Sequence, residues 1–130
     1  MANLPRLLVI DDEPALADYM ATAARLTGYD PAIASDQLSF GRAFAETRPR
    51  VVVLDLGMPN TDGVEYLRFL AVEGFVGPVL IVSGFDRRVL ESAFRLGTEL
   101  GLTMVGPLEK PVRLEELETL LKSIKPSLVP

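Results

Sequence analysis

"RLLVIDDEPALADYM", residues 6–20, decides the fold. Five residues, four of them aliphatic, run straight into Asp11, Asp12 and Glu13, and Pro14 then opens a helical pattern. A continuous aliphatic run of this length suits a strand covered on both faces, as in a parallel sheet. Adjacent acids at the end of such a strand repel each other. Two full charges 4 Å apart cost about 4 kcal/mol at an effective dielectric near 20. Something must offset that repulsion.

Working outward, "VVVLDL" (51–56) and "PVLIVS" (78–83) repeat the aliphatic run. "YDPAIA" (29–34) and "LTMVG" (102–106) are weaker strand candidates, and Pro31 argues for a sheet edge. Between these runs lie helical stripes. From Pro14 to Leu26 the apolar residues fall on one face, with Pro14 in the first turn and Gly28 as the stop. Further helices are expected from Leu38 to Thr47, Val64 to Val72, Asp86 to Leu100 and Leu114 to Ile124. Leu90 and Phe94 lie partly off the inward stripe of the fourth helix and are candidates for a partner surface. Five strand–helix units in strict alternation predict an α/β, flavodoxin-like doubly wound (βα)5 sandwich. Its five-stranded parallel sheet should have strand order 2-1-3-4-5. One domain is expected over residues 1–130, with its core at about 6–124 and a tail or cut linker at 125–130.

Composition narrows the chemistry. The chain has no Cys, which removes disulfides, thiolate metal sites and thiol nucleophiles. It has no His, which removes the commonest general base and transition-metal ligand. Any metal must therefore be a hard cation held by oxygen. The net charge of −5 and the lack of a basic stripe argue against nucleic acid as a direct partner. No apolar run reaches membrane-spanning length, so no membrane partner is expected and a cytoplasmic location is the default.

In doubly wound folds ligands bind outside the carboxyl ends of the strands. Asp11 and Asp12 end the first strand, Asp55 the third, and Ser83 and Gly84 the fourth, while Lys110 follows the fifth. Taken alone, Asp11-Asp12 reads equally well as a cap of the first helix. The convergence of three carboxylates, a hydroxyl and an ammonium on one sheet edge favours a divalent-cation site. Mg²⁺ fits, with Mn²⁺ as a substitute. Asp55 would be ligand and nucleophile, since carboxylates form acyl phosphates. Mg²⁺ and Lys110 would neutralise a transferring phosphoryl group, Ser83 would hydrogen-bond it, and Gly84 would leave room and offer a backbone N–H.

"VIDDE", "VLDLGMPNTDG", "VSG" and "LEKP", in this order, resemble the receiver domain of two-component response regulators from about Leu7 to Ile124. The resemblance implies Asp55 as phospho-acceptor, and Asp12, Asp55 and the Gly57 backbone carbonyl as direct Mg²⁺ ligands. It also implies Asp11 as a ligand through water, Ser83 as the switch hydroxyl, Lys110 as the family lysine and a cis Lys110–Pro111 bond. Pro59 and Asp62-Gly63 match the loop after the acceptor.

The resemblance further implies a phosphoprotein in a phosphorelay, charged by a sensor histidine kinase or a histidine phosphotransfer protein. Its partner or output domain would be read through the face of the fourth helix, fifth strand and fifth helix. The chain would not be an enzyme beyond catalysing transfer onto its own Asp55.

Two departures stand out. Pro107 occupies the position where many receivers carry the switch aromatic, so the usual hydroxyl-plus-aromatic rotation cannot operate in that form. The Ser83–Lys110 spacing is also long, and "SGFDRRVLESAFRLG" with "LEKP" is similar to receivers joined to EAL-type domains. Gly57 and Phe85, at the two positions that tune dephosphorylation, offer no side chain to hold a hydrolytic water, so slow loss of the aspartyl phosphate is expected.

Competing functions fare worse. A haloacid-dehalogenase-like phosphatase needs a second Asp where Gly57 stands. In a nucleotide-binding flavodoxin-like module, "DDEPA" would repel the anion. A degenerate receiver acting by phosphorylation-independent contact is the alternative reading.

Overall fold

A computed structural model describes residues 4–56, 63–84 and 87–125. The strands are β1 (Arg6–Ile10), β2 (Asp30–Ala34), β3 (Val51–Asp55), β4 (Pro78–Ser83) and β5 (Thr103–Glu109). They alternate with α1 (Pro14–Leu26), α2 (Gln37–Thr47), α3 (Gly63–Val72), α4 (Arg87–Glu99) and α5 (Leu114–Ile124). All pairings are parallel and the order is β2-β1-β3-β4-β5. The expected α/β doubly wound sandwich is the observed one.

The aliphatic runs explain the middle of the sheet. All of β3 and β4 is buried, and so is β1 after Arg6. Their side chains alternate between two apolar layers. Leu7, Val9, Val53 and Val82 face α1 and α5, while Leu8, Ile10, Leu54 and Ile81 face α2, α3 and α4. Each such side chain contributes roughly 1.5–3 kcal/mol of burial. β2, with its Pro31, is an edge strand as expected. The other edge, β5, is mostly exposed.

Local chemistry sets the element ends. Gly28 turns α1 into β2 at φ +89°, a backbone region open to glycine. α2 begins with a reciprocal cap: Asp36 accepts from the Ser39 N–H at 2.8 Å, and the Ser39 hydroxyl accepts from the Asp36 N–H at 3.1 Å. That cap starts the helix at Gln37, one residue before the sequence pattern suggested.

Leu90 corrects the expectation of a partner surface at that position. It is 2% exposed and packs in the α2/α3/α4 layer, whereas Phe94 is half-buried against it. Because β5 lies beneath α4, that helix turns a wider face inward than the stripe implied. Gly77 sits where α3 returns to the sheet, and a Cβ there would run into the backbone carbonyl oxygen of Arg50. Backbone cannot yield as a side-chain tip does. Gly77→Ala is therefore expected to destabilise by about 2 kcal/mol, read as a lower urea midpoint at unchanged slope. An unchanged midpoint would show that the contact relaxes at no cost.

β5 holds the main surprise. Leu80 pairs with Val105 but Val82 pairs with Leu108, so β5 carries one extra residue across that step. Gly106, at φ +92°, and Pro107 form this bulge. An edge strand and a bulge are the places where a sheet tolerates proline. The strand therefore runs on to Glu109 instead of stopping near Gly106.

Candidate functional site

The carboxyl ends of β1, β3, β4 and β5 bring Asp11, Asp55, Ser83 and Lys110 together. Asp11, immediately after β1, is held by two hydrogen bonds. Its N–H donates to the Ala34 carbonyl at 3.0 Å, and its Oδ1 accepts from the Glu13 N–H at 2.9 Å. The second is a two-residue side-chain turn. It disposes of the capping alternative, because Glu13, not Asp11 or Asp12, is the N-cap of α1 and no side chain caps that helix.

Asp55 ends β3 and is 3% exposed. Lys110 reaches it from the end of β5, with Nζ donating to Oδ2 at 3.0 Å. Its strand end is fixed by the Lys110 N–H donating to the Ser83 carbonyl at 2.9 Å. The Lys110–Pro111 bond is cis, as the resemblance implied, and so is Gly106–Pro107. Gly84 lies against the stem of Lys110, and a Cβ there would come to 3.1 Å from the lysine Cβ. The space expected at Gly84 is thus taken up by the lysine. Ser83 is buried at 3% exposure.

The electrostatics are those of crowded acid. One carboxylate oxygen from each of Asp11, Asp12 and Asp55 lies within 4.8 Å of the others. Asp11 and Asp55 are buried and Asp12 is exposed. Burial pushes the Asp11 carboxyl up from 3.8 to about 6, the Glu13 N–H pulls it partly back, and the Asp55 charge adds to the rise. Asp11 Oδ2 is buried and receives no hydrogen-bond donor. A buried carboxylate oxygen without a donor normally has a ligand or a proton. With two more carboxylates this close, the set fits a hard divalent cation with oxygen ligands. Asp11, Asp12 and Asp55 are the residues that would hold it. The expected fourth ligand, the Gly57 carbonyl, lies outside the described residues, as do Pro59, Asp62 and Phe85.

Two features escaped the sequence reading. Pro107 is exposed on the bulge, beside a groove of about 430 Å³ shared with Phe94 and Arg95 of α4. Arg87, the first residue of α4, donates from Nε to Glu109 Oε1 at 2.7 Å. Nothing in the sequence pairs them until the β4–β5 register is known.

Comparison with known proteins agrees with this geometry. The family model described as response regulator receiver domain matches residues 7–122. Among curated relatives, the transcriptional regulatory protein TrcR of Mycobacterium tuberculosis is 32% identical over 92% of this chain and 44% of its own length. The probable transcriptional regulatory protein TcrX of the same organism is 34% identical over 91% of the chain and 48% of its own length. The chain thus spans less than half of these relatives. A third, from Mycolicibacterium smegmatis, is named a DNA-binding response regulator, MtrA, and is matched over 36% of its length. Its name pulls against the expectation that nucleic acid is no partner.

Among solved structures, a response regulator from Colwellia psychrerythraea superposes with a TM-score of 0.77 at 27% identity, covering 96% of this chain and 99% of that one. A receiver domain protein from Clostridium thermocellum gives 0.79 at 25%, covering 95% and 96%. No helix among the described residues is long and apolar enough to cross a membrane. With its acids, hydroxyl and lysine gathered on one edge of a 2-1-3-4-5 sheet, this chain belongs to the response regulator receiver domain family of two-component signalling.

Proposed function

We propose that the chain is a phosphorylation switch whose acceptor is Asp55. The observation that carries this reading is the buried Asp55 carboxylate, paired with Lys110 at 3.0 Å and crowded by Asp11 and Asp12. The donor is a phosphohistidine on a sensor histidine kinase or histidine phosphotransfer protein, since this chain has no His of its own. An Asp55 oxygen attacks phosphorus in line. The P–N bond breaks as the P–O bond forms, and the imidazole leaves with the electron pair and takes up a proton.

Lys110 places a positive charge where negative charge gathers on the phosphoryl oxygens. Ser83, buried at the adjoining strand end, supplies a hydroxyl for one of those oxygens. Asp11, Asp12 and Asp55 are the residues that would hold Mg²⁺, which would supply charge neutralisation there. The product is a modified protein, so the chain acts on itself and not on a free metabolite. Its reader is an output domain or protein at the α4–β5–α5 face, and its setting is the cytoplasm.

The test is intact-mass spectrometry after incubation with acetyl phosphate and Mg²⁺. Wild type is expected to gain one phosphoryl group and Asp55→Asn none. No gain by wild type, with Mg²⁺ binding confirmed, would overturn the switch in favour of a phosphorylation-independent contact module. Gain by Asp55→Asn would move the acceptor elsewhere.

A further inference from the structure

Tyr19 holds the turn that carries Lys110. Its side chain is half-buried on α1, and its hydroxyl donates to the Val112 carbonyl at 2.9 Å. Val112 follows the Lys110–Pro111 pair and precedes Arg113, the N-cap of α5. The first bond of that helix runs from the Leu117 N–H to the Arg113 carbonyl, so the Val112 carbonyl lies outside the helical ladder. A backbone carbonyl in a packed turn needs a donor, and the Tyr19 hydroxyl is one. The Val112 side chain is buried, and the Tyr19 ring packs against the same apolar cluster.

This bond joins the two halves of the site. Asp11 and Asp12 sit on the β1–α1 connection. The Glu13 N–H ties that connection to Asp11 Oδ1, and the Ala17 N–H ties α1 to the Glu13 carbonyl. Lys110 sits on the β5–α5 connection. In the sheet, β3 and β4 stand between β1 and β5, so no shared ladder sets the acids against the lysine. The Lys110 N–H is fastened to the Ser83 carbonyl on one side, and the Val112 carbonyl to Tyr19 on the other. The lysine is thus bracketed between β4 and α1, with its Nζ 3.0 Å from Asp55. Two further bonds fasten α5 at the far end of α1. The Tyr29 hydroxyl donates to the Leu121 carbonyl at 2.6 Å, and Lys125 Nζ donates to the Thr27 carbonyl at 3.2 Å. They dock α5 without involving the turn of Lys110.

We propose that Tyr19 is a positioning residue for phosphoryl transfer, its hydroxyl fixing the Lys110 turn so that the ammonium stands at Asp55 before the phosphoryl group arrives. This rests on the reading of Asp55 as phospho-acceptor. Lysine carries its charge on a flexible four-carbon stem, so its placement depends on where the stem is rooted. A charge already in place stabilises the transition state without reorganisation, and small misplacements of such groups slow reactions. Tyr19 touches no reacting atom and moves no proton. It acts through Lys110.

The experiment is the rate of mass gain from acetyl phosphate at saturating Mg²⁺, measured on the 130-residue chain for Tyr19→Phe and Tyr29→Phe. Each variant deletes one hydroxyl, keeps its ring and cuts one bond to the β5–α5 unit. Tyr19→Phe is expected to slow transfer about three- to tenfold, the factor one hydrogen bond supplies. Tyr29→Phe is expected to leave the rate unchanged. A second arm repeats Tyr19→Phe in the Lys110→Met background. With no ammonium left to position, no further slowing is expected there. A wild-type rate in Tyr19→Phe, equal slowing by the two tyrosine variants, or the same fold loss in the Lys110→Met background would each overturn the positioning role and leave the acceptor intact. Absence of added mass on wild type, with Mg²⁺ binding confirmed, would overturn the acceptor and the positioning role together.

Discussion

Without a divalent cation, the protein is expected to lose thermal stability as pH rises from about 4 to about 7, and Mg²⁺ is expected to restore it at the upper end. The cause is Asp11. Its carboxyl titrates near 3.8 when unfolded and is pushed up to about 6 when folded, chiefly by burial and then by the Asp55 charge. Below the unfolded value both states are protonated and no penalty exists. Between the two values the folded state holds the extra proton, so each step upward in pH favours unfolding. Above about 6 the penalty is complete. Its ceiling is about 3 kcal/mol, from roughly two pH units at 1.4 kcal/mol each, or some degrees of melting temperature for each kcal/mol.

Asp11→Asn is expected to flatten the slope, because the amide can still accept from the Glu13 N–H and carries no charge. Mg²⁺ is expected to act on the same balance from the other side, by binding the folded carboxylates that otherwise repel. Melting curves with and without Mg²⁺ across this window decide the matter. A wild-type melting temperature independent of pH would show that Asp11 is not held above its ordinary range, and one that Mg²⁺ leaves unmoved near pH 7 would show that the three acids do not form a cation site.

The gathering of these residues on one sheet edge was largely legible in the sequence, and the reason is physical. Strand ends in a doubly wound fold are fixed points, so Asp11, Asp55, Ser83 and Lys110 could be placed on one edge without side-chain detail. The fully buried strands β1, β3 and β4 read directly, because burial on both faces leaves an uninterrupted aliphatic run. β5 did not. Gly106 and Pro107 resemble a strand stop, yet the edge strand absorbs them as a bulge and continues to Glu109.

Leu90 was misplaced for a related reason: a helical stripe gives the direction of burial but not its width, and the sheet edge beneath α4 widened it. The Arg87–Glu109 pair was out of reach altogether. Two charged residues 22 positions apart meet only once the register sets Glu109 opposite Ser83.

Loss of the Lys110 charge is expected to slow phosphoryl transfer to Asp55 on the order of 10²- to 10³-fold, the scale on which one preorganised group stabilising transition-state charge acts. Lys110→Met is the informative variant. The stem of Lys110 packs against Gly84, with Cδ at 3.2 Å from a built Cβ, and methionine retains much of that apolar stem while deleting the ammonium. Alanine would open space beside Gly84 and confuse packing with charge.

The variant carries a stability cost too. Asp55 is 2% exposed at its side chain and Lys110 only 25%, and removing one partner of a buried pair leaves the other uncompensated. Saturating Mg²⁺ is expected to offset that cost through the same carboxylates, so rates should be compared there, with folding verified by melting. Lys110→Arg keeps the charge but replaces a compact ammonium with a planar fork, and a partial rate is expected. The three rates then separate charge from shape. Transfer at the wild-type rate by Lys110→Met would mean that the 3.0 Å contact with Asp55 balances a buried acid at rest and takes no part when the phosphoryl group moves.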